Sequence, residues 1–143
     1  MRRFVRFAGL VCVSAAALLS GCGSGISLDE PIESRIWRLS SLGMQPVAAS
    51  GDLQRDAQIT FDGTRVTGSG GCNRLTGGYQ RSGSSLKIGP LAATRMACLD
   101  ANRGALESSF VGALQATTNY SLLGSQLSLL DAGGRTLAVL ESR

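Results

Sequence analysis

The feature that most constrains the fold of this chain is a series of short runs in which apolar and polar residues alternate between glycine-containing turns. Ile59 and Phe61 alternate with polar residues, and Asp62-Gly63 then places a tight turn before Val66. Ser82-Gly83 marks a second turn of the same kind. Alternation with a period of two is typical of a half-buried strand, and such turns join neighbouring strands as hairpins. The pattern predicts an antiparallel sheet.

An earlier run, Ile36-Trp37-Arg38-Leu39, also alternates and predicts the first strand, and residues 43–57 are expected to form a loop. One helical segment is expected at about residues 101–116, with Asp100 or Asn102 as its cap. Its apolar residues recur on one face: Leu106, Phe110 and Leu114. Three alternating runs follow, marked by Tyr120/Leu122, Leu127/Leu129 and Leu137/Val139. These residues predict an α+β domain in which one main helix covers a curved antiparallel sheet.

The first 21 residues have the pattern of an export signal. Three arginines at positions 2, 3 and 6 precede an uncharged apolar run at residues 7–19. Since a membrane-spanning helix needs about 20 residues, this run is too short to be one. It ends in Leu19-Ser20-Gly21-Cys22, which resembles the bacterial lipobox. We therefore expect cleavage between Gly21 and Cys22, with acyl chains such as palmitate attached to Cys22. The alternative is an ordinary signal peptide followed by a chance cysteine.

The lipobox resemblance also predicts a location. A lipid-anchored chain of this kind lies in the bacterial cell envelope. Gly23 stands where many inner-membrane lipoproteins carry aspartate, which favours the outer membrane, facing the periplasm. Residues 22–34 are small and polar and are expected to form a flexible tether. The folded domain is expected at residues 35–143.

Removal of the signal changes the charge of the chain. The full sequence carries 14 basic and 10 acidic residues, and three of the basic residues lie in the signal. The mature chain would therefore be nearly neutral, which gives no argument for a nucleic-acid partner. Cys12 would be discarded and Cys22 lipidated, leaving Cys72 and Cys98. Two cysteines in an oxidising compartment suggest one disulfide.

The sequence contains no histidine, which excludes histidine-based triads and histidine metal motifs. Most of the acidic residues lie in the tether, in loops or in turns. Asp100 and Glu107 are the remaining carboxylates for an enzyme, and a helix cap and a helix position explain them more simply. The glycine-rich stretch at residues 68–73 lacks the ending of a phosphate-binding loop. We therefore expect no catalytic residues, no metal and no cofactor.

Two separated motifs in the second half of the chain resemble the META domain, the family of heat-inducible, HslJ-like lipoproteins. The first combines Gly71-Cys72-Asn73-Arg74 with Thr76-Gly77-Gly78-Tyr79, and the second is the stretch Pro90–Cys98 that contains Thr94-Arg95-Met96-Ala97-Cys98. The helix with Glu107, Phe110 and Leu114 and the opening Trp37-Arg38-Leu39 also match. The resemblance covers about residues 35–141.

The resemblance implies a partly barrel-like antiparallel sheet with a helix, a role in stress tolerance such as heat shock, and no established catalysis. It implies a Cys72–Cys98 disulfide, with Met96 packed inside. Asn73, Thr94 and Arg95 are expected to satisfy backbone groups around the disulfide. The functional alternative for the motif residues is a polar surface for an envelope partner or small ligand, formed by Asn73, Arg74, Thr94 and Arg95.

The function expected from the sequence is that of a non-catalytic, membrane-anchored stress-tolerance or binding module. One alternative is a periplasmic thiol-redox or copper(I)-binding protein that uses Cys72, Cys98 and Met96, because thiolate and thioether ligands select copper(I). Against it, the two cysteines lack the C-x-x-C spacing of dithiol catalysts.

Overall fold

The computed structural model describes residues 32–143 of the chain. The expected signal peptide, the cleavage site at Gly21 and Cys22, the lipid attachment and most of the expected tether lie outside the described residues. The described part contains the whole of the expected domain.

Residues 32–143 form ten β-strands and one α-helix. In chain order these are β1 (Trp37–Leu42), β2 (Gln45–Pro46), β3 (Gln58–Asp62), β4 (Arg65–Ser69), β5 (Arg74–Ser82), β6 (Ser85–Ile88), β7 (Ala92–Ala93), α1 (Ala101–Ala116), β8 (Asn119–Leu123), β9 (Gln126–Leu130) and β10 (Thr136–Ser142).

Eight of these strands close into a barrel. Neighbours follow the order β10, β9, β8, β6, β5, β4, β3, β1, and β1 also pairs with β10. All of the strand pairings are antiparallel. The short strand β2 pairs with the end of β1 and lies within residues 43–57, which were expected to form a loop. The short strand β7 pairs with the first part of β5. The prediction of a curved, partly barrel-like sheet with one main helix is confirmed, and the barrel is in fact closed.

The hairpin turns lie at the glycine-containing positions predicted from the sequence. Gly63 and Gly83 have φ angles of +59° and +57°, a left-handed conformation that glycine adopts without the strain a side chain would cause. The Gly63 turn sets the register in which Phe61 lies opposite Val66. Both of these side chains are buried inside the barrel, and the intervening polar residues face outward.

The helix α1 packs against β1, β6 and β10 and completes the core. Phe110 and Leu114 are fully buried, whereas Leu106 is partly buried at the edge of the core. Asp100 is the N-cap, since its side chain accepts a hydrogen bond of 2.9 Å from the backbone N–H of Asn102. Among the described residues, we find no helix with the length and hydropathy needed to cross a membrane.

The chain packs against the barrel three residues earlier than the sequence predicts. Ile32 is fully buried, and its carbonyl oxygen accepts a hydrogen bond of 2.7 Å from Trp37 Nε1. Glu33 Oε1 accepts a hydrogen bond of 2.7 Å from the Tyr79 hydroxyl. Burial of Tyr79, together with this carboxylate, raises the pKa of the tyrosine to about 12. Residues 32–34 were expected in the flexible tether, but a single buried isoleucine fixes them on the domain.

The last residue of the chain is tied to the loop before β3. Arg143 Nη2 lies 2.9 Å from Asp56 Oδ2, and the backbone N–H of Ser50 donates to the other carboxylate oxygen at 2.8 Å. Burial alone would raise the pKa of Asp56, but these hydrogen bonds outweigh it and the pKa is lowered. Because the folded state favours the ionised form, this carboxylate stabilises the fold at neutral pH. That contribution is lost as the pH falls through the lowered pKa.

The packing of the entry segment leads to a stability prediction. We expect Ile32→Ala to lower the free energy of unfolding by about 2–5 kcal/mol, because it removes a fully buried side chain. Ile36→Ala is the matched control, since Ile36 is 41% exposed and its loss should cost under about 1 kcal/mol. Urea denaturation of both variants measures the difference. Equal, small losses would place Ile32 in a loose tether instead.

Candidate functional site

The outer face of β3, β4 and β5 carries an open groove with a volume of about 880 Å³. Val66 and Leu75 point into the barrel, so the alternate residues on the same strands point outward. The cross-strand pairs Thr67–Thr76 and Ser69–Arg74 therefore lie on the outer face, and they line the groove. Cys72, Asn73, Thr94 and Met96 line one end, and we call the whole feature the disulfide groove.

One corner of the disulfide groove is the loop at residues 70–73, which encloses a carboxylate from α1. Glu107 is buried although it is charged. Its Oε2 accepts hydrogen bonds from the backbone N–H groups of Cys72 and Asn73, and its Oε1 accepts one of 2.7 Å from Asn73 Nδ2. Successive backbone N–H groups arranged in this way form a nest that binds anions. Glu107 is therefore an internal ligand of this loop.

Gly70 makes room for that carboxylate. A Cβ atom at this position would lie 2.6 Å from Glu107 Oε2, closer than such atoms approach. The backbone N–H of Gly70 also donates to the carbonyl of Asn73 at 2.9 Å, which closes the loop on itself. Glycine is therefore required at position 70 because the Glu107 side chain of α1 approaches the backbone so closely.

The Asn73 side chain connects the loop to the segment that follows β7. Its Oδ1 accepts hydrogen bonds from the backbone N–H of Met96 at 2.7 Å and from the Thr94 hydroxyl at 3.1 Å. Thr94 Oγ1 in turn accepts a hydrogen bond of 3.0 Å from the backbone N–H of Arg74. The Asn73 amide therefore bonds on both its oxygen and its nitrogen. Although Asn73 lines the groove, its amide is bonded to protein groups and orients them.

Cys72 and Cys98 are joined by a disulfide, with Cα atoms 5.8 Å apart and 26 residues apart in the chain. In the chain-entropy model, closing a loop of this length stabilises the fold by about 3.5 kcal/mol. The bond ties the loop at residues 70–73 to the segment that leads into α1. In this bonded form neither sulfur atom is a free thiolate that could coordinate copper(I).

The structure brings together three of the four residues expected to form a polar surface. Asn73, Arg74 and Thr94 line the disulfide groove, whereas Arg95 is exposed and lies outside the lining. The expectation that Met96 packs inside is wrong, because its side chain is 62% exposed. The backbone N–H of Met96 is the group that bonds inward, and this leaves the thioether at the rim.

Sequence reasoning missed Glu107 as a site residue, although a signal was present. Glu107, Phe110 and Leu114 share one face of α1 because they are spaced i, i+3 and i+7. A carboxylate on an apolar helix face must find hydrogen-bond donors inside the protein. Asp100, the other carboxylate considered for catalysis, caps α1. Across residues 32–143, no three acidic or cysteine side chains cluster as metal ligands would.

Comparison with known proteins identifies relatives of the domain. The model of the META domain family matches residues 30–143. A protein solved by NMR is similar at 25% identity and a TM-score of 0.61, over 77% of this chain and 90% of that one. A comparison with curated proteins finds no match.

Two further solved structures show the fold alone. An NMR structure of a protein from Burkholderia xenovorans has 24% identity and a TM-score of 0.61, covering 78% of this chain and 83% of that one. A crystal structure of a DUF4847 family protein from Bacteroides vulgatus has 17% identity and a TM-score of 0.53, covering 79% and 95% of the two chains.

The Glu107 contacts lead to a second stability prediction. Glu107→Gln should lower the free energy of unfolding by about 1–3 kcal/mol, because the amide nitrogen would face N–H donors and leave them unsatisfied. Glu141→Gln is the matched control. Its exposed carboxylate lies 3.4 Å from Arg38, and the change should cost less than about 0.5 kcal/mol. Urea denaturation with the disulfide intact compares the two, and equal losses would contradict the assignment of Glu107.

Proposed function

The chain belongs to the META domain family, and from that membership we propose that it is a non-catalytic binding module anchored on the bacterial envelope by lipid at Cys22. In this proposal the disulfide groove is the surface that contacts another envelope component. The observation that carries the proposal is that one end of the groove is cross-linked to the rest of the fold. The disulfide and the Asn73–Glu107 hydrogen bonds both fix its end.

The chemistry of the groove favours binding over catalysis. Its lining offers hydroxyls from Thr67, Ser69 and Thr76 and the guanidinium of Arg74. The adjacent carboxylate, Glu107, is buried and accepts three N–H donors from the loop at residues 70–73, which gives it a structural role. The descriptions of the matching family and of the similar structures name no catalytic activity.

The direction of β5 supports an anchored arrangement. Arg74 lines the groove at the start of β5, and Tyr79, which contacts Glu33, lies five residues along the strand. At about 3.3 Å per residue, the two positions are separated by about 17 Å. A lipid anchor preceding Ile32 would therefore join the barrel away from the groove and leave the groove open to a partner. The family resemblance adds stress tolerance, including heat shock, as the proposed setting.

The alternative of a thiol-redox or copper(I) protein receives no support. Copper(I) binding requires thiolates from Cys72 and Cys98, and these are bonded to each other. It also requires the Met96 thioether beside them, but that side chain lies exposed at the rim of the groove. For redox exchange, the two cysteines are 26 residues apart in the chain and lack the C-x-x-C spacing of dithiol catalysts. We therefore retain the binding module as the proposed function.

Anchoring and binding can be tested together in cells. We expect a palmitate label to enter the native chain and not a Cys22→Ser variant. A photocrosslinking residue placed at Arg74 should capture an envelope component in the native chain and lose it in the Cys22→Ser background. The same probe at Lys87, an exposed position outside the groove, is the control.

Two results would contradict the proposal. If the native chain takes up no palmitate, the proposed lipid attachment at Cys22 is wrong, independently of any binding in the groove. Equal capture from Arg74 and Lys87 would mean that the groove is no more a contact surface than the rest of the barrel. Mass spectrometry of the captured products identifies the partner in the supporting case.

A further inference from the structure

Two guanidinium groups lie on the groove face without a carboxylate partner. Arg74 lines the groove, and Arg65 Nη2 donates a hydrogen bond of 2.8 Å to the hydroxyl of Thr76, which also lines it. Both arginines are exposed. Within the part of the chain that the structure describes, neither forms an ion pair. Their charges are therefore available to a ligand.

The carboxylates near the groove are all engaged elsewhere or lie outside it. Glu107 is buried and bonded to the loop at residues 70–73. Asp56 is bonded to Arg143, and Asp52 pairs with Arg55 at 3.3 Å. Asp62 is the cross-strand neighbour of Arg65, and neither of these two residues lines the groove itself. The lining therefore contains one cation, Arg74, and no carboxylate, and the Arg65 guanidinium reaches its edge at Thr76. This charge is complementary to an anionic ligand.

The spacing of the two cationic groups indicates an extended ligand. Arg74 and Thr76 are alternate residues on the same face of β5, so their Cα atoms are about 6.7 Å apart. The Arg65 guanidinium is held at Thr76, and it therefore lies about one such repeat from the base of Arg74. Alternate side chains of an extended peptide repeat at the same distance. Thr67 and Ser69, the cross-strand partners of Thr76 and Arg74, add hydroxyls to the lining.

We propose that the disulfide groove binds an extended acidic peptide segment of an envelope protein, with carboxylates at alternate positions that pair with Arg74 and Arg65. This inference rests on the proposed binding function and specifies its ligand. The lining contains no aromatic side chain on which a nucleic-acid base or a sugar ring could stack. Two arginines anchored about one strand repeat apart, at Arg74 and at Thr76, match two separate carboxylates better than they match one compact anion.

A labelled peptide tests this proposal in vitro. The probe is a fluorescein-labelled peptide of alternating glutamate and threonine, titrated with the purified protein at low salt and followed by fluorescence anisotropy. We expect saturable binding that weakens as salt is added. Arg74→Gln and Arg65→Gln should each weaken it about three-fold, as expected for loss of one exposed ion pair. The double variant should weaken it about ten-fold.

Arg95→Gln is the matched control, because Arg95 is an exposed arginine beside the groove that does not line it. It should leave the affinity unchanged. A peptide of the same composition with its glutamates in one block should bind more weakly than the alternating peptide. Thermal unfolding confirms that each variant is folded before its affinity is compared.

Several outcomes would overturn the proposal. These are the absence of saturable binding, equal loss with Arg95→Gln, equal binding of the block peptide, and competition by inorganic phosphate at concentrations matching the peptide carboxylates. The last would assign a site for a compact anion. Photocrosslinking from Arg74 in cells separates this failure from that of the binding function. If capture persists while the acidic peptide fails to bind, the groove still binds a partner and only its acidic character is wrong.

Discussion

The contact on which the rest of the site depends is the carboxylate of Glu107 inside the loop at residues 70–73. One helix side chain satisfies two backbone N–H groups and the amide of Asn73. A buried carboxylate without such donors would destabilise the fold, and a loop without the carboxylate would leave its own N–H groups unsatisfied. Each partner therefore requires the other. Gly70 is needed because any larger residue would occupy the space of the carboxylate.

This contact joins three parts of the molecule into one rigid unit. The same helix face that carries Glu107 buries Phe110 and Leu114 in the barrel, so the helix position fixes the carboxylate. Asn73, which is bonded to Glu107, also accepts hydrogen bonds from Thr94 and Met96 and so fixes their positions. The disulfide joins the loop to the segment before α1. A rigid end of this kind suits a surface that must recognise a partner, because less conformational entropy is lost on binding.

Much of the fold could be predicted from local patterns, whereas the long-range contacts could not. Alternation and glycine turns gave the hairpins, since both act between near neighbours in the chain. Closure of the barrel depends on pairing of β1 with β10, and no local pattern encodes that partner. A single isoleucine at position 32 has no periodicity to reveal its burial. Arg95 and Met96 could be placed near the site, but their side-chain directions depend on which backbone groups bond to Asn73 and Arg74.

Hydrogen exchange of the Cys72 and Asn73 backbone amides, followed by NMR on the oxidised protein, is the most direct test of this central contact. Both residues lie in a loop outside the strands, where amides ordinarily exchange fast. If Glu107 binds them as described, they should exchange as slowly as the amide of Leu39, which donates to a carbonyl at 2.8 Å within the barrel. Exchange as fast as that of the exposed turn at Gly63 would contradict the account.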